Sequence, residues 1–161
     1  MPTTETPILI YTDGSASGNP GPGGYAAILK SGSHTKEISG GFRMTTNNRM
    51  ELLAVIKALK CLKKPGSQVL VFSDSKYVVD AVEKKWVFDW EQKNFKNKKN
   101  EDLWREFLNI YRKHNVRFEW VKGHSTNEFN NRCDQLAVLA GKNDCSNIDS
   151  EYENLNQTPG L

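Results

Sequence analysis

The stretch NNRMELLAVIKALKCLKKPGSQVLVFSD, residues 47–74, changes its hydrophobic period once, and that change decides the fold. Leu52, Val55, Ile56, Leu59 and Leu62 recur at the spacing of one helix face. Lys63-Lys64 and then Pro65-Gly66 end that helix after about four turns. Val69–Ser73 (VLVFS) is continuously apolar, the pattern of a strand covered on both faces rather than one at a sheet edge. A strand, a helix and a second strand make a crossover unit. It sets the second strand parallel to an earlier one through a right-handed connection.

Upstream, Ile8–Thr12 (ILIYT) is a short β-branched, apolar strand ending at Asp13. The Gly- and Pro-rich stretch Gly14–Gly24 reads as a turn. Tyr25–Lys30 and Thr35–Arg43 read as two further strands joined by Ser31–His34, so that the first three form an antiparallel meander. Downstream, Tyr77–Glu83 reads as a short helix, and Leu103–Tyr111 as a second with Leu103, Trp104, Phe107, Leu108 and Tyr111 on one stripe. Arg117–Val121 (RFEWV) alternates as a last strand, and Phe129–Ala140 is a final helix turning Phe129, Cys133, Leu136, Ala137 and Ala140 inward. The expected class is α/β: a five-stranded mixed sheet flanked by helices. Its first three strands are antiparallel, and the fourth and fifth run parallel to the first.

With 161 residues the chain is of one-domain length, at about 150 residues per domain. A chain of this size buries roughly 70% of its extended surface and needs no staples. Hydrophobic residues at 37% and charged residues at 25% exclude collagen-like, coiled-coil and wholly disordered classes. No apolar run reaches the roughly 18–20 residues of a membrane span. MPTTETPIL at the N-terminus has neither the basic nor the apolar region of a secretory signal. Cys61, Cys133 and Cys145 cannot all pair and match no zinc spacing, so they read as free thiols in a cytoplasmic, reducing setting.

Charge divides the chain. All 22 Lys and Arg precede Asp144, whereas Asp144, Asp149, Glu151 and Glu153 lie at or beyond it; residues 1–143 therefore carry 22 basic against 15 acidic side chains, a net +7. A basic body suits a polyanionic partner, and equally a solvated surface. The acidic, aperiodic segment 144–161 reads as a disordered tail after a domain at 1–143.

Four acids stand at element ends or in helix turns. Asp13 closes the first strand, Asp74 follows the parallel strand, Glu51 lies in the first turn of the intervening helix, and Asp134 lies in the last helix. Each also has a plain structural reading: Asp13-Gly14 as a turn dipeptide, Asp74 as a helix cap, Glu51 as a favourable charge at a helix N-terminus. If the four converge without basic partners, they repel one another strongly and call for a cation. Oxygen-only ligands select Mg²⁺ or Mn²⁺ over zinc.

TDGSASGNPGPGG (Thr12–Gly24), TTNNRMEL (Thr45–Leu52), FSDSKYV (Phe72–Val78), WVKGH (Trp120–His124) and NNRCDQLA (Asn130–Ala137) resemble, in order, the motifs of bacterial type 1 ribonuclease H. The resemblance spans Ile8 to Ala140. It implies a monomeric, Mg²⁺-dependent endonuclease that cuts the RNA strand of RNA–DNA hybrids with two metal ions (Mn²⁺ as substitute), leaving a 5′-phosphate and a 3′-hydroxyl. It makes Asp13, Glu51, Asp74 and Asp134 the metal ligands and His124 a proton shuttle or an aid to product release. Residues matching Asn19, Thr46 and Arg49 form a phosphate pocket on the DNA strand, and those matching Gly14, Ser15, Asn47 and Asn48 line the groove. The segment Lys84–Lys99, six lysines interleaved with aromatics, fits the family's basic protrusion. There Trp86, Lys93, Lys96, Lys98 and Lys99 would grip the DNA strand beside Asn100 and Trp104. Three departures stand out: Lys76 where glutamine is common, the loop sequence HSTNEFNN after the last strand, and a shorter protrusion containing Asp89 and Glu91. Other readings predict other sequences. A non-catalytic hybrid-binding module would lack at least one acid. A DNA nuclease of the same fold would lack the TNNR element and the protrusion, and a purely structural domain would leave the ordered motifs unexplained.

Overall fold

The computed structural model describes residues 6–123 and 127–155. Five strands, β1 (Ile8–Ala16), β2 (Gly21–Ser31), β3 (His34–Thr45), β4 (Gln68–Ser73) and β5 (Asn115–Trp120), form one sheet in the order β3-β2-β1-β4-β5. β1–β2 and β2–β3 pair antiparallel; β1–β4 and β4–β5 pair parallel, as the crossover pattern requires. The helices are α1 (Asn47–Lys60), α2 (Lys76–Glu83), α3 (Trp86–Gln92), α4 (Glu101–Tyr111), α5 (Glu128–Asn143) and α6 (Ser150–Leu155).

Strand alternation builds two cores. Ile10, Ala27, Leu29, Val69, Val71, Val116 and Phe118 face one side of the sheet and pack with the apolar stripes of α1, α2 and α4. Tyr11, Ala26 and Ile28 face the other, against Cys133 and Ala137 of α5. The central strands β1 and β2 are therefore covered on both faces, which is why ILIYT lacks polar alternation. Trp104 and Phe107 are fully buried anchors of the first core.

Two expectations give way. Gly14–Gly24 is a hairpin, not one long turn. Gly14 pairs with Tyr25 and Ser15 with Gly24, leaving Ser17–Pro20 as the connection. The glycines serve packing: a Cβ at Gly24 would stand 2.3 Å from the Ala137 carbonyl oxygen, so only a bare backbone lets α5 press on β2. The second concerns the acidic tail expected to be disordered. Residues 144–155 carry α6 and dock against the β3 edge, while 156–161 lie outside the described residues. The Arg43 amide donates to the Asn147 carbonyl, and Asn147 Nδ2 to the Gly41 carbonyl at 3.0 Å. Arg43 also pairs both carboxylate oxygens of Glu153. The physical reason is charge: Glu153 and Asp149 find Arg43 and Arg49, which a search for apolar periodicity does not register.

Candidate active site

Convergence of the acids follows from register. β1 and β4 are level at Tyr11 and Phe72, so two residues further on Asp13 stands level with Asp74 at the carboxyl ends of neighbouring parallel strands. Such ends are where α/β sheets place their sites. α1 approaches this edge because residue 14 is glycine, whose absent Cβ would lie 2.4 Å from the Glu51 nitrogen. The Gly14 amide consequently donates to Glu51 Oε1 at 2.8 Å, aiming that carboxyl at Asp13. Carboxylate oxygens of Asp13, Glu51 and Asp74 all lie within 4.8 Å of one another. Asp134, on α5, lines the same small pocket with Thr12, Asp13, Asp74, Lys122, Gly123, Asn130 and Asn131.

Three of these acids do not keep their plain structural roles: Asp13 and Gly14 lie within β1, Glu51 lies beyond the first turn of α1, in which the sequence alone places it, and Asp74 is not the cap of α2. Ser75 caps α2, its hydroxyl accepting from the Val78 amide at 3.2 Å. Thr46 caps α1 in the same way, accepting from the Arg49 amide at 3.2 Å, which also removes capping as a role for Asn47 and Asn48. The Trp120 indole donates to the Asp74 carbonyl at 3.0 Å, bracing that residue from β5.

The electrostatics are those of a site built for cations. Burial, followed by the charge of Asp74 and the hydrogen bond with Asp134, raises the Asp13 carboxyl to about 7. Burial and then Asp13 push Glu51 well above the ordinary carboxylate range. Three buried oxygens, Thr12 Oγ1, Glu51 Oε2 and Asn130 Oδ1, have no hydrogen-bond partner among the described residues. Buried oxygens left unpaired are costly. An oxygen-only set of clustered carboxylates fits a hard divalent cation, which would offset that cost.

A family model for RNase H matches residues 5–142. The chain belongs to the ribonuclease H family. It is 52% identical over 140 residues to "Ribonuclease H" of Syntrophomonas wolfei subsp. wolfei, covering 84% of this chain and 96% of that protein. With "Ribonuclease HI" of a Synechocystis species it shares 47% over 158 residues, 94% of this chain and 98% of the relative. Among solved structures, LC9-RNase H1, described as a type 1 RNase H with the type 2 active-site motif, aligns at a TM-score of 0.77 and 30% identity over 96% of this chain and 82% of that one. LC11-RNase H1 in complex with an RNA/DNA hybrid aligns at 0.63 and 28%, over 84% and 96%. As a ribonuclease H, the chain is a divalent-metal-dependent hydrolase.

The ribonuclease H motifs do not all place their residues as the resemblance implied. Asn19, Thr46, Asn48, Arg49, Lys98, Lys99 and Asn100 do line one cavity of about 760 Å³. Arg49, however, is only 2% exposed, and all its donors are spent inside the protein. Nε and Nη2 bond Asp149, Nη1 and Nη2 bond Asp102, and Nη1 also reaches Asn100 Oδ1. In this arrangement it has no donor left for a phosphate and serves to hold the cavity wall. Trp104 is fully buried, its indole donating to the Tyr77 hydroxyl at 2.8 Å, so it supports the protrusion from beneath. Asn100 donates to the same hydroxyl at 3.0 Å while accepting from Arg49, which fixes its amide at the cavity rim.

Asn47 is likewise engaged, its Oδ1 accepting from the Ala16 amide and its own amide donating to Asn19 Oδ1 at 2.9 Å. These bonds pin the β1–β2 hairpin to α1. On the protrusion, Trp86 is 46% exposed and Lys96, Lys98 and Lys99 are solvent-facing, whereas Lys93 pairs with Asp89. Glu91 is claimed by Arg112, which holds its carboxyl below the ordinary range. The two acids that set this protrusion apart thus have cationic partners of their own. His124 lies outside the described residues. Asp149 and Asn130 were passed over at the sequence level. The first sits in an apparently featureless tail, and the second reads as one polar helix residue among several.

Proposed function

We propose that Asp13, Glu51, Asp74 and Asp134 hold two divalent cations, Mg²⁺ or in its place Mn²⁺, and that the enzyme uses them to hydrolyse the RNA strand of RNA–DNA hybrids. The observation that carries this reading is the convergence of three carboxylates within 4.8 Å, two of them buried, beside oxygens that lack donors among the described residues. When bound, the cations would neutralise the phosphodiester and ease deprotonation of water. Burial raises the Asp13 carboxyl to about 7 and pushes Glu51 in the same direction, so cation binding would compete with protons at these two groups. In the reaction a water oxygen forms a bond to phosphorus while the bond to the ribose 3′ oxygen breaks, leaving a 5′-phosphate and a 3′-hydroxyl. His124, which follows WVKG in the sequence, serves as a proton shuttle or aids product release.

The substrate lies across two features. Gly14, Ser15 and Asn48 meet the minor groove, where 2′-hydroxyls distinguish the RNA strand. Asn19, Thr46 and Asn100 receive a phosphate of the DNA strand, and Lys96, Lys98, Lys99 and Trp86 extend along its backbone. We place the enzyme in the cytoplasm as a monomer. No helix among the described residues is long and apolar enough to cross a membrane.

The test is one labelled duplex sequence prepared as RNA–DNA hybrid, RNA–RNA, DNA–DNA and single-stranded RNA, each with Mg²⁺ and with EDTA. Cleavage of the hybrid's RNA strand alone, and only with metal, is expected. Tight hybrid binding without cleavage would overturn the catalytic reading in favour of a binding module.

A further inference from the structure

Asn130 stands in the first turn of α5, one helical turn before Asp134 and on the same face. Its Nδ2 donates to two backbone carbonyls at once, Phe72 at 3.2 Å and Thr12 at 3.4 Å. Thr12 directly precedes Asp13 on β1, and Phe72 lies two residues before Asp74 on β4. The two carbonyl acceptors decide which way the amide points, because only the NH₂ group can satisfy them. Oδ1 therefore faces away from the sheet, buried and without a hydrogen-bond partner among the described residues, in a residue that lines the pocket of Asp13, Asp74 and Asp134.

We propose that Asn130 is a positioning residue of the cation site. One amide ties together the three elements that carry Asp13, Asp74 and Asp134. It holds the ends of β1 and β4 level against the repulsion of their carboxylates and keeps α5 seated over both. Its Oδ1 accepts a hydrogen bond from water in the pocket. This rests on the reading of the four carboxylates as the cation site.

Calorimetric titration of the nuclease with Mg²⁺ in the absence of substrate tests it, with melting of the metal-free protein as the folding control. For Asn130→Ala the Mg²⁺ affinity is expected to fall about 10- to 100-fold, with a comparable loss of kcat and little change in the KM for the hybrid. Asn130→Asp separates positioning from charge. It adds a negative charge, which by itself would tighten cation binding, but replaces the donor with an acceptor facing two carbonyls; weaker Mg²⁺ binding is expected. A role confined to packing would lower the melting temperature and leave the affinity and kcat of the folded variants within about twofold of the parent, and that result would overturn the proposal. Should neither variant fold, the parent decides: the Asn130 side-chain amide resonances must shift with Mg²⁺ at the same apparent Kd as the calorimetry. Absence of that shift overturns the proposal. Absence of Mg²⁺ binding by the parent instead overturns the carboxylate reading, and this one with it.

Discussion

Asp13 stands under electrostatic tension. Its carboxyl is raised to about 7 by burial and by Asp74, so at neutral pH without metal it is only partly ionised. Asp13→Asn removes both the tension and the ligand. The metal-free variant is expected to melt higher than the parent at pH 8, while cleavage falls by at least ~10³-fold, a loss of several kcal/mol of transition-state stabilisation. Hybrid binding, measured by gel shift, should persist because the groove residues are untouched. A variant that cleaved normally would remove Asp13 from the chemistry. Asn130 shows why a residue-scale site needs more than its acids: repelling carboxylates stay together only if the backbones that carry them are held.

Two elements differ in what their exposure means. The protrusion is formed by α3 and the turn that follows, where Asn94, Phe95, Asn97 and Asn100 adopt left-handed backbone conformations. Asparagine tolerates that geometry; Phe95 accepts the strain because its ring is buried, anchoring the turn to the body. Lys96, Lys98 and Lys99 then face solvent. Replacing Lys96, Lys98 and Lys99 with glutamine is expected to raise KM and to reduce the salt slope of hybrid binding by about 0.7–0.9 per lost contact. Replacing Lys93, already paired with Asp89, should change the slope least. The C-terminal segment is different in kind. Asp149 is buried, accepting from Arg49 and from the Thr45 hydroxyl at 2.8 Å. Removing residues 147–161 would leave the Arg49 guanidinium buried with two of its five hydrogen bonds gone. A buried pair broken on one side costs about 3–5 kcal/mol, so the truncated protein should melt roughly 6–20 °C lower. An unchanged melting temperature would show that the tail contributes nothing to stability.

Stability of the whole molecule should depend on pH and on divalent metal together. Asp13 has a folded pKa of about 7 against an ordinary value of 3.8, so between these the folded state binds more protons than the unfolded one. Its contribution to stability therefore falls as pH rises through that window, and Glu51, raised in the same direction, adds to the trend. Metal-free protein is expected to lose melting temperature from pH 5 to pH 8, and millimolar Mg²⁺ to restore it at pH 8 but much less at pH 5, where protons compete for the ligands. Thermal melts with and without EDTA check this. Equal stabilisation by Mg²⁺ at both pH values would place the cation elsewhere.

The sheet was legible in the chain because its signals are local: the period change between Asn47 and Ser73, the apolar runs at Ile8 and Val69, and the alternation of Arg117–Val121. The four acids were legible as candidates because motifs fix spacing along the chain, and spacing at strand and helix ends maps directly onto one sheet edge. Tertiary structure alone decided what each side chain could still do once its neighbours had claimed it. Arg49, read as a phosphate ligand, is consumed by Asp102 and by Asp149, a hundred residues away in sequence. Trp104 lies under the protrusion rather than on it, and residues 144–155 of the segment read as disordered fold against β3. The reason is physical. Periodicity and motif spacing report short-range backbone preference, whereas burial and the allotment of hydrogen-bond donors are settled only when residues distant in sequence are brought into contact.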